Sequence, residues 1–220
     1  MANSSSTLTE EHPSYLQHHF VDADQQFDSA KMGMWLFLVT ELLFFGGLFL
    51  AYIVYRAWYP ELYTAASTQL DTLMGGINTV VLIGSSVTVA FAIRSAQLNQ
   101  KRNIIIYLVI TLLLATTFMV IKYFEYTHKF HLGIYPGEFY TFEGIDHPKA
   151  NVFFSIYYMM TGLHGLHVVI GMGLMIWLIV KAFKGRFSSE YYTPVEITGL
   201  YWHLVDIIWI FLFPLLYLIE

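Results

Sequence analysis

The sequence predicts an all-α integral membrane protein, a bundle of five transmembrane helices, and two observations carry that prediction. Five runs, near 32–58, 73–96, 103–126, 151–183 and 197–219, reach the length of roughly 20 predominantly apolar residues that crosses a hydrocarbon core. The composition agrees: 56% of the residues are hydrophobic and 12% charged, whereas an ordinary soluble domain carries about 25% charged residues.

Residues 1–31 read as a polar, acidic tail ahead of a single membrane domain, 32–220. The tail lacks the basic start and apolar centre of a signal peptide, so it is expected to be retained. His18 and His19 within it read as solvated side chains.

The first span carries Glu41, with Phe37 at i−4 and Phe44 and Phe45 at i+3 and i+4. Desolvation among these rings favours a neutral carboxyl unless a cation reaches it from another helix. Glu41 is therefore either a proton-exchanging group or a hydrogen-bonding partner for a neighbouring helix or subunit. Tyr59-Pro60 ends this run, and Asn99 to Arg102 ends the second.

The third span holds Lys122 and Glu125, at the i, i+3 spacing of an intrahelical ion pair. Near a span end Lys122 is also free to snorkel outward, and Tyr123, Phe124 and Tyr126 suit the interfacial aromatic belt. The following interval, 127–150, contains Gly133, Pro136, Gly137, Gly144 and Pro148 and reads as an ordered surface loop.

The fourth span contains TGLHGLHVVIG, Thr161 to Gly171. At 100° per residue Thr161, His164, Gly165, Val168 and Gly171 share one face, with His167 at its edge, while Leu163, Leu166, Val169 and Ile170 gather opposite. Small and polar residues mark helix contacts in a membrane, so other spans are expected against the first face and lipid against the second.

The fifth span places His203 and Asp206 at i, i+3 beside Trp202 and Trp209, with Leu204, Ile208, Phe211 and Leu215 as its apolar face. The pair can bond within its helix, reach a neighbour or join a proton relay. Trp202, His203 and Trp209 are also candidates for holding a phospholipid headgroup.

Two chemistries are disfavoured by placement. Nine histidines suggest a metal, but His128 and His131 lie outside, His164 and His167 mid-span and His203 toward the inner end, so no metal site is expected. The net charge of −5 and the scattered basic residues give no nucleic-acid surface. Without cysteine, disulfide and thiolate chemistry are excluded.

Basic residues orient the chain. Lys31, Arg94, Lys101, Arg102, Lys181, Lys184 and Arg186 fall on one side of the predicted membrane, against Arg56, Lys129 and Lys149 on the other. This bias predicts a cytoplasmic N-terminus and an outer C-terminus in a bacterial-type cytoplasmic membrane.

TGLHGLHVVIG, together with YWHLVDIIWIF from Tyr201 to Phe211 and TELLFF from Thr40 to Phe45, resembles the signature of subunit III of the haem-copper oxidases, most closely that of cytochrome c oxidase. The three segments stand in the family's order and spacing, and the resemblance runs from about Lys31 to the end. It implies a membrane subunit without a catalytic or redox centre. Such a subunit would pack on subunit I in a hetero-oligomer with subunits I and II, which hold the haems and copper. It would bind phospholipid and support proton uptake or oxygen access.

Family members carry an acid at the position of Glu41, buried against subunit I. Longer members have two further helices, absent here, whose lipid-filled cleft is then in doubt. Subunit III of a quinol oxidase and the accessory subunit of nitric oxide reductases share the WH-x-x-D pattern, and Glu at position 41 leans toward cytochrome c oxidase. An ion-coupled transporter would also bury Glu, His and Asp, but would show repeat symmetry or broken half-helices, which the sequence lacks.

Overall fold

The structure, a computed structural model, describes residues 16–145 and 147–219. Its helices are α1 (Ala23–Trp58), α2 (Pro60–Ser67), α3 (Thr72–Gln97), α4 (Lys101–His131), α5 (Ala150–Phe183) and α6 (Thr193–Tyr217), with one 3-10 turn at Gly137–Phe139. Five of them, α1, α3, α4, α5 and α6, are long and apolar enough to cross a membrane.

Most boundaries lie close to the predicted runs, and two differ for identifiable reasons. Helix α1 begins inside the segment read as tail, because the Asp22 side chain accepts from Gln25 N at 2.7 Å and caps a polar leading turn. At 36 residues it is about 54 Å long, more than the hydrocarbon core requires. Helix α4 continues to His131, so Lys129 belongs to a helix and not to the surface loop. The short α2, opened by Pro60 at its first turn, occupies an interval read as punctuation.

Side-chain ties set the packing. Thr79 meets Trp209 and Ser85 meets Trp202, so α3 and α6 run antiparallel. Phe118 and Tyr126 meet His164 and Thr161, and His164 and Gly171 meet Val205 and Trp202, giving the same sense to α4 with α5 and α5 with α6. Helix α6 is the centre of the bundle, touching α1, α3 and α5. Half of its most apolar stretch is buried, against 17% for α1.

That contrast follows from pattern. The buried residues of α1, Leu38, Phe45 and Tyr52, recur at i, i+7, i+14 and make a single narrow seam. Trp35, Leu36, Val39, Leu42, Leu43 and Leu50 remain exposed around the rest of the helix. Helix α6 instead buries residues around most of its circumference and leaves Ile207, Ile210, Phe211 and Pro214 outward. Of the four residues read as its apolar face, Phe211 is exposed, Leu204 and Leu215 are half-buried and Ile208 is core.

The basic residues at the α1 start and in the α3–α4 and α5–α6 turns share one end of the bundle. Lys31 pairs with Glu196 at 2.9 Å across α1 and α6. Gly185, at φ +64, ends α5 in the left-handed conformation that favours glycine, beside Lys101 Nζ of the neighbouring turn.

Candidate functional site

Three groups of polar residues within the spans concern the candidate site. At the end of the bundle away from the basic turns, Glu125 is the hub of a buried network. Its Oε2 accepts from Lys122 Nζ at 2.8 Å. Its Oε1 accepts from Lys129 Nζ at 2.8 Å, Tyr157 OH at 2.9 Å and Tyr217 OH at 2.6 Å. Lys122 also donates to Tyr217 OH at 2.6 Å and lies 4.5 Å over the Trp209 ring. A carboxylate that receives four donors and faces two ammonium groups is well compensated despite its burial.

The Lys122–Glu125 ion pair is thus present, but snorkelling is not. Lys122, Glu125 and Lys129 are all buried, because their face of α4 turns toward α5 and α6. Tyr123 and Phe124 are exposed as a belt requires, while Tyr126 turns inward to Thr161.

The second group lies on α5. Thr161, His164, Val168 and Gly171 are buried, and Leu166, Val169 and Ile170 are exposed. His164 Nε2 lies 3.1 Å from Val205 O, so that nitrogen carries the hydrogen and donates to α6. At Gly171 the α6 chain comes so close that a Cβ would sit 2.6 Å from the Trp202 ring. Gly165 is half-buried and has open space beside it. With Gly162, Phe118, Lys122 and Thr161 it lines an apolar hollow of about 390 Å³ on the α4–α5 seam.

His167, at the edge of that face, meets Glu41: Nε2 to Oε2 is 2.9 Å. Its Nδ1 lies 2.7 Å from Leu163 O, and a carbonyl only accepts, so Nδ1 carries a hydrogen. One proton is then shared between Nε2 and the carboxyl, and the pair is neutral overall whichever atom holds it. Glu41 therefore faces the bundle, while 18% of its side chain stays exposed beside the open face of α1.

The third group joins α3 and α6. His203 does not pair with Asp206 within its helix; its Nδ1 lies 2.6 Å from Ser86 Oγ. Asp206 is buried facing Ser85 and Ser86, with no hydrogen bond of normal geometry to either among the described residues. Trp202 and Trp209, read from the sequence as lipid candidates, turn into the bundle. Both are fully buried, because α6 is enclosed, and their indole N–H groups donate to Ser85 Oγ at 2.9 Å and Thr79 Oγ1 at 3.0 Å. His203 alone of the three keeps partial exposure.

Lys129, Tyr157, Tyr217, Ser86 and Asn78 entered no sequence-based site. Of these, Lys129 was within reach, standing at i+4 from Glu125. Tyr157, Tyr217 and Ser86 are partners from distant segments, and the Asn78 side chain is buried without a partner among the described residues.

Comparison with known proteins places this arrangement among oxidase subunits. The sequence model described as "Cytochrome c oxidase subunit III" matches residues 11–220. The chain is 33% identical to "Cytochrome c oxidase subunit 3" of Thermostichus vulcanus over 198 residues, covering 88% of this chain and 89% of that protein. It is 31% identical to "Probable cytochrome c oxidase subunit 3" of Nocardia farcinica, covering 86% and 88%. It is also 29% identical to "Heme-copper oxidase subunit I+III" of Aeropyrum pernix, over 96% of this chain and 25% of that longer protein.

Proposed function

The chain belongs to the cytochrome c oxidase subunit III family, and from that premise we propose how it serves a haem-copper oxidase: as an integral, non-catalytic subunit that packs on subunit I. The complex passes electrons from cytochrome c to oxygen and conserves the energy as a proton gradient, with haems and copper held by subunits I and II. This chain stabilises subunit I and supports proton uptake or oxygen access. Phospholipid fills its remaining outward grooves. It is multi-pass, and we place its basic-turn end and N-terminus in the cytoplasm on the bias of Lys and Arg.

The observation that carries the reading is the Aeropyrum relative, in which a segment like this whole chain is part of one polypeptide named subunit I+III. The sparsely packed α1 suits such a neighbour, since its exposed apolar residues surround the half-open Glu41–His167 pair. Such a face supports association by packing and by polar groups bonded across the contact.

The test is to purify the tagged chain from its native membrane in mild detergent, with a photo-crosslinking residue at Leu43 or, as control, at Phe124. Co-purification of haem and copper subunits, with a crosslink to the largest of them from position 43, is expected. A homogeneous chain free of haem-bearing partners would sink the proposal. Cysteines near either end, probed with an impermeant label on intact cells, test the orientation; labelling of the N-terminal tail alone would reverse it.

A further inference from the structure

Around Trp209, three fully or almost fully buried side chains on three helices carry polar atoms without a partner among the described residues. They are Asn78 on α3, through both Nδ2 and Oδ1, His164 on α5, through Nδ1, and Asp206 on α6, through both oxygens. Their placement follows from the ties between helices. Thr79, next to Asn78, accepts from Trp209. His164 has its ring centroid 5.2 Å from that of Trp209 and bonds Val205 O, the neighbour of Asp206. On antiparallel α3 and α6 the Thr79–Trp209 and Ser85–Trp202 contacts bracket Asp206, so Asn78 and Asp206 differ in depth by about one helical turn, roughly 5 Å.

The adjacent hydroxyls offer little relief. Ser85 Oγ donates its one hydrogen to Leu82 O at 2.7 Å, and Thr79 Oγ1 donates to Gly75 O at 2.9 Å. Ser86 Oγ, 2.6 Å from His203 Nδ1, faces Asp206 without a hydrogen bond of normal geometry to it. Lys122, 4.5 Å over the Trp209 ring, is engaged with Glu125 and Tyr217. What the three groups lack is complementary: His164 Nδ1 needs a donor, Asn78 both a donor and an acceptor, and the carboxyl at least one donor. Buried groups of this kind are paired in folded proteins, commonly by internal water with two to four polar partners.

We propose that the layer around Trp209 is a hydrated site, in which water molecules held by Asn78, His164 and Asp206 bridge α3, α5 and α6 at mid-depth. Water both donates and accepts, so it can serve all three groups. The site ties the central helix to two neighbours through polar contacts that hydrocarbon cannot provide. It is independent of the α1 face and of any partner subunit.

The test is cryo-electron microscopy of the intact complex in lipid nanodiscs, at a resolution where ordered water is visible, in sodium and in choline buffer. Density at hydrogen-bonding distance, roughly 2.7–3.2 Å, from Asn78 and Asp206 and present in both buffers is expected. A dry layer with the three side chains bonded to one another overturns the proposal, as does a single density present only in sodium. An Asn78→Leu complex is expected to lose the density beside position 78 and to release this subunit at a lower temperature than the wild type. A release temperature unchanged from wild type would also overturn it. The wild-type maps decide the matter even where the variant fails to assemble.

Discussion

Two ionisable groups in the bundle are built to opposite plans. The Lys122–Glu125–Lys129 network is buried on every side and completed by Tyr157 and Tyr217 of the same chain. The Glu41–His167 pair holds one hydrogen bond between side chains 18% and 12% exposed, on the helix least covered by its own bundle. The difference separates two uses of costly polarity in a membrane. A charge cluster saturated within one chain fixes its fold, whereas a pair left half-open on a bare helix awaits what the rest of the complex brings.

The comparison is broken most forcefully at its closed end. Glu125→Leu leaves the Lys122 and Lys129 ammonium groups buried without their carboxylate, and breaking a buried pair in this way costs about 3–5 kcal/mol. Loss of the subunit from the membrane complex is expected, read by immunoblot of the purified oxidase, with partial recovery when Lys122→Met is added. Normal assembly of the single variant would show that the cluster is not structural.

A smaller effect is expected where α5 and α6 touch. Gly171→Ala drives a methyl group into the Trp202 ring, and overpacking costs about 1–3 kcal/mol. Gly165→Ala, six residues earlier in the same motif, meets open space and is expected to be neutral. Thermal release of the subunit from the complex measures both. Equal behaviour of the two variants would contradict the close approach at Gly171.

His164→Leu follows in size. It removes the donor to Val205 O, and intramembrane hydrogen bonds average about 0.6 kcal/mol with a ceiling near 2. A slightly lower release temperature with an unchanged haem spectrum is expected. A changed haem spectrum would mean that His164 acts on the redox centres and not through packing.

These residues also show how much was legible in the sequence. Length and hydropathy located five spans, and the 3.6-residue period separated buried Thr161, His164 and Gly171 from exposed Leu166, Val169 and Ile170. Local spacing found the Lys122–Glu125 pair. It could not find Tyr217, 92 residues from Glu125, or His167, 126 residues from Glu41, because a helical period fixes a face but not the neighbour that meets it. The burial of Trp202 and Trp209 was hidden for a related reason. Trp is common at lipid interfaces, but α6 is central, and only the packing reveals that.

The half-open end yields the smallest expected effect and the most direct measure of the difference. Because His167 Nδ1 holds its hydrogen on Leu163 O, Nε2 either accepts from a neutral Glu41 or donates to an ionised one. In Glu41→Gln the amide N–H2 donates to Nε2 in place of the acid, so the neutral form of the pair survives almost unchanged. Assembly and turnover close to wild type are expected. Glu41→Ala deletes the bond and leaves a void beside Phe45, whose ring lies 5.3 Å from that of His167, so it should loosen α1. Infrared difference spectra of the complex then distinguish the two protonation patterns, through a carboxylic acid band lost in Glu41→Gln or a carboxylate band lost instead. A carboxylate band, with the Gln variant as damaged as the Ala variant, would mean that an ion pair at the α1 edge is required, and that the open site holds α1 by charge just as the closed one holds α4.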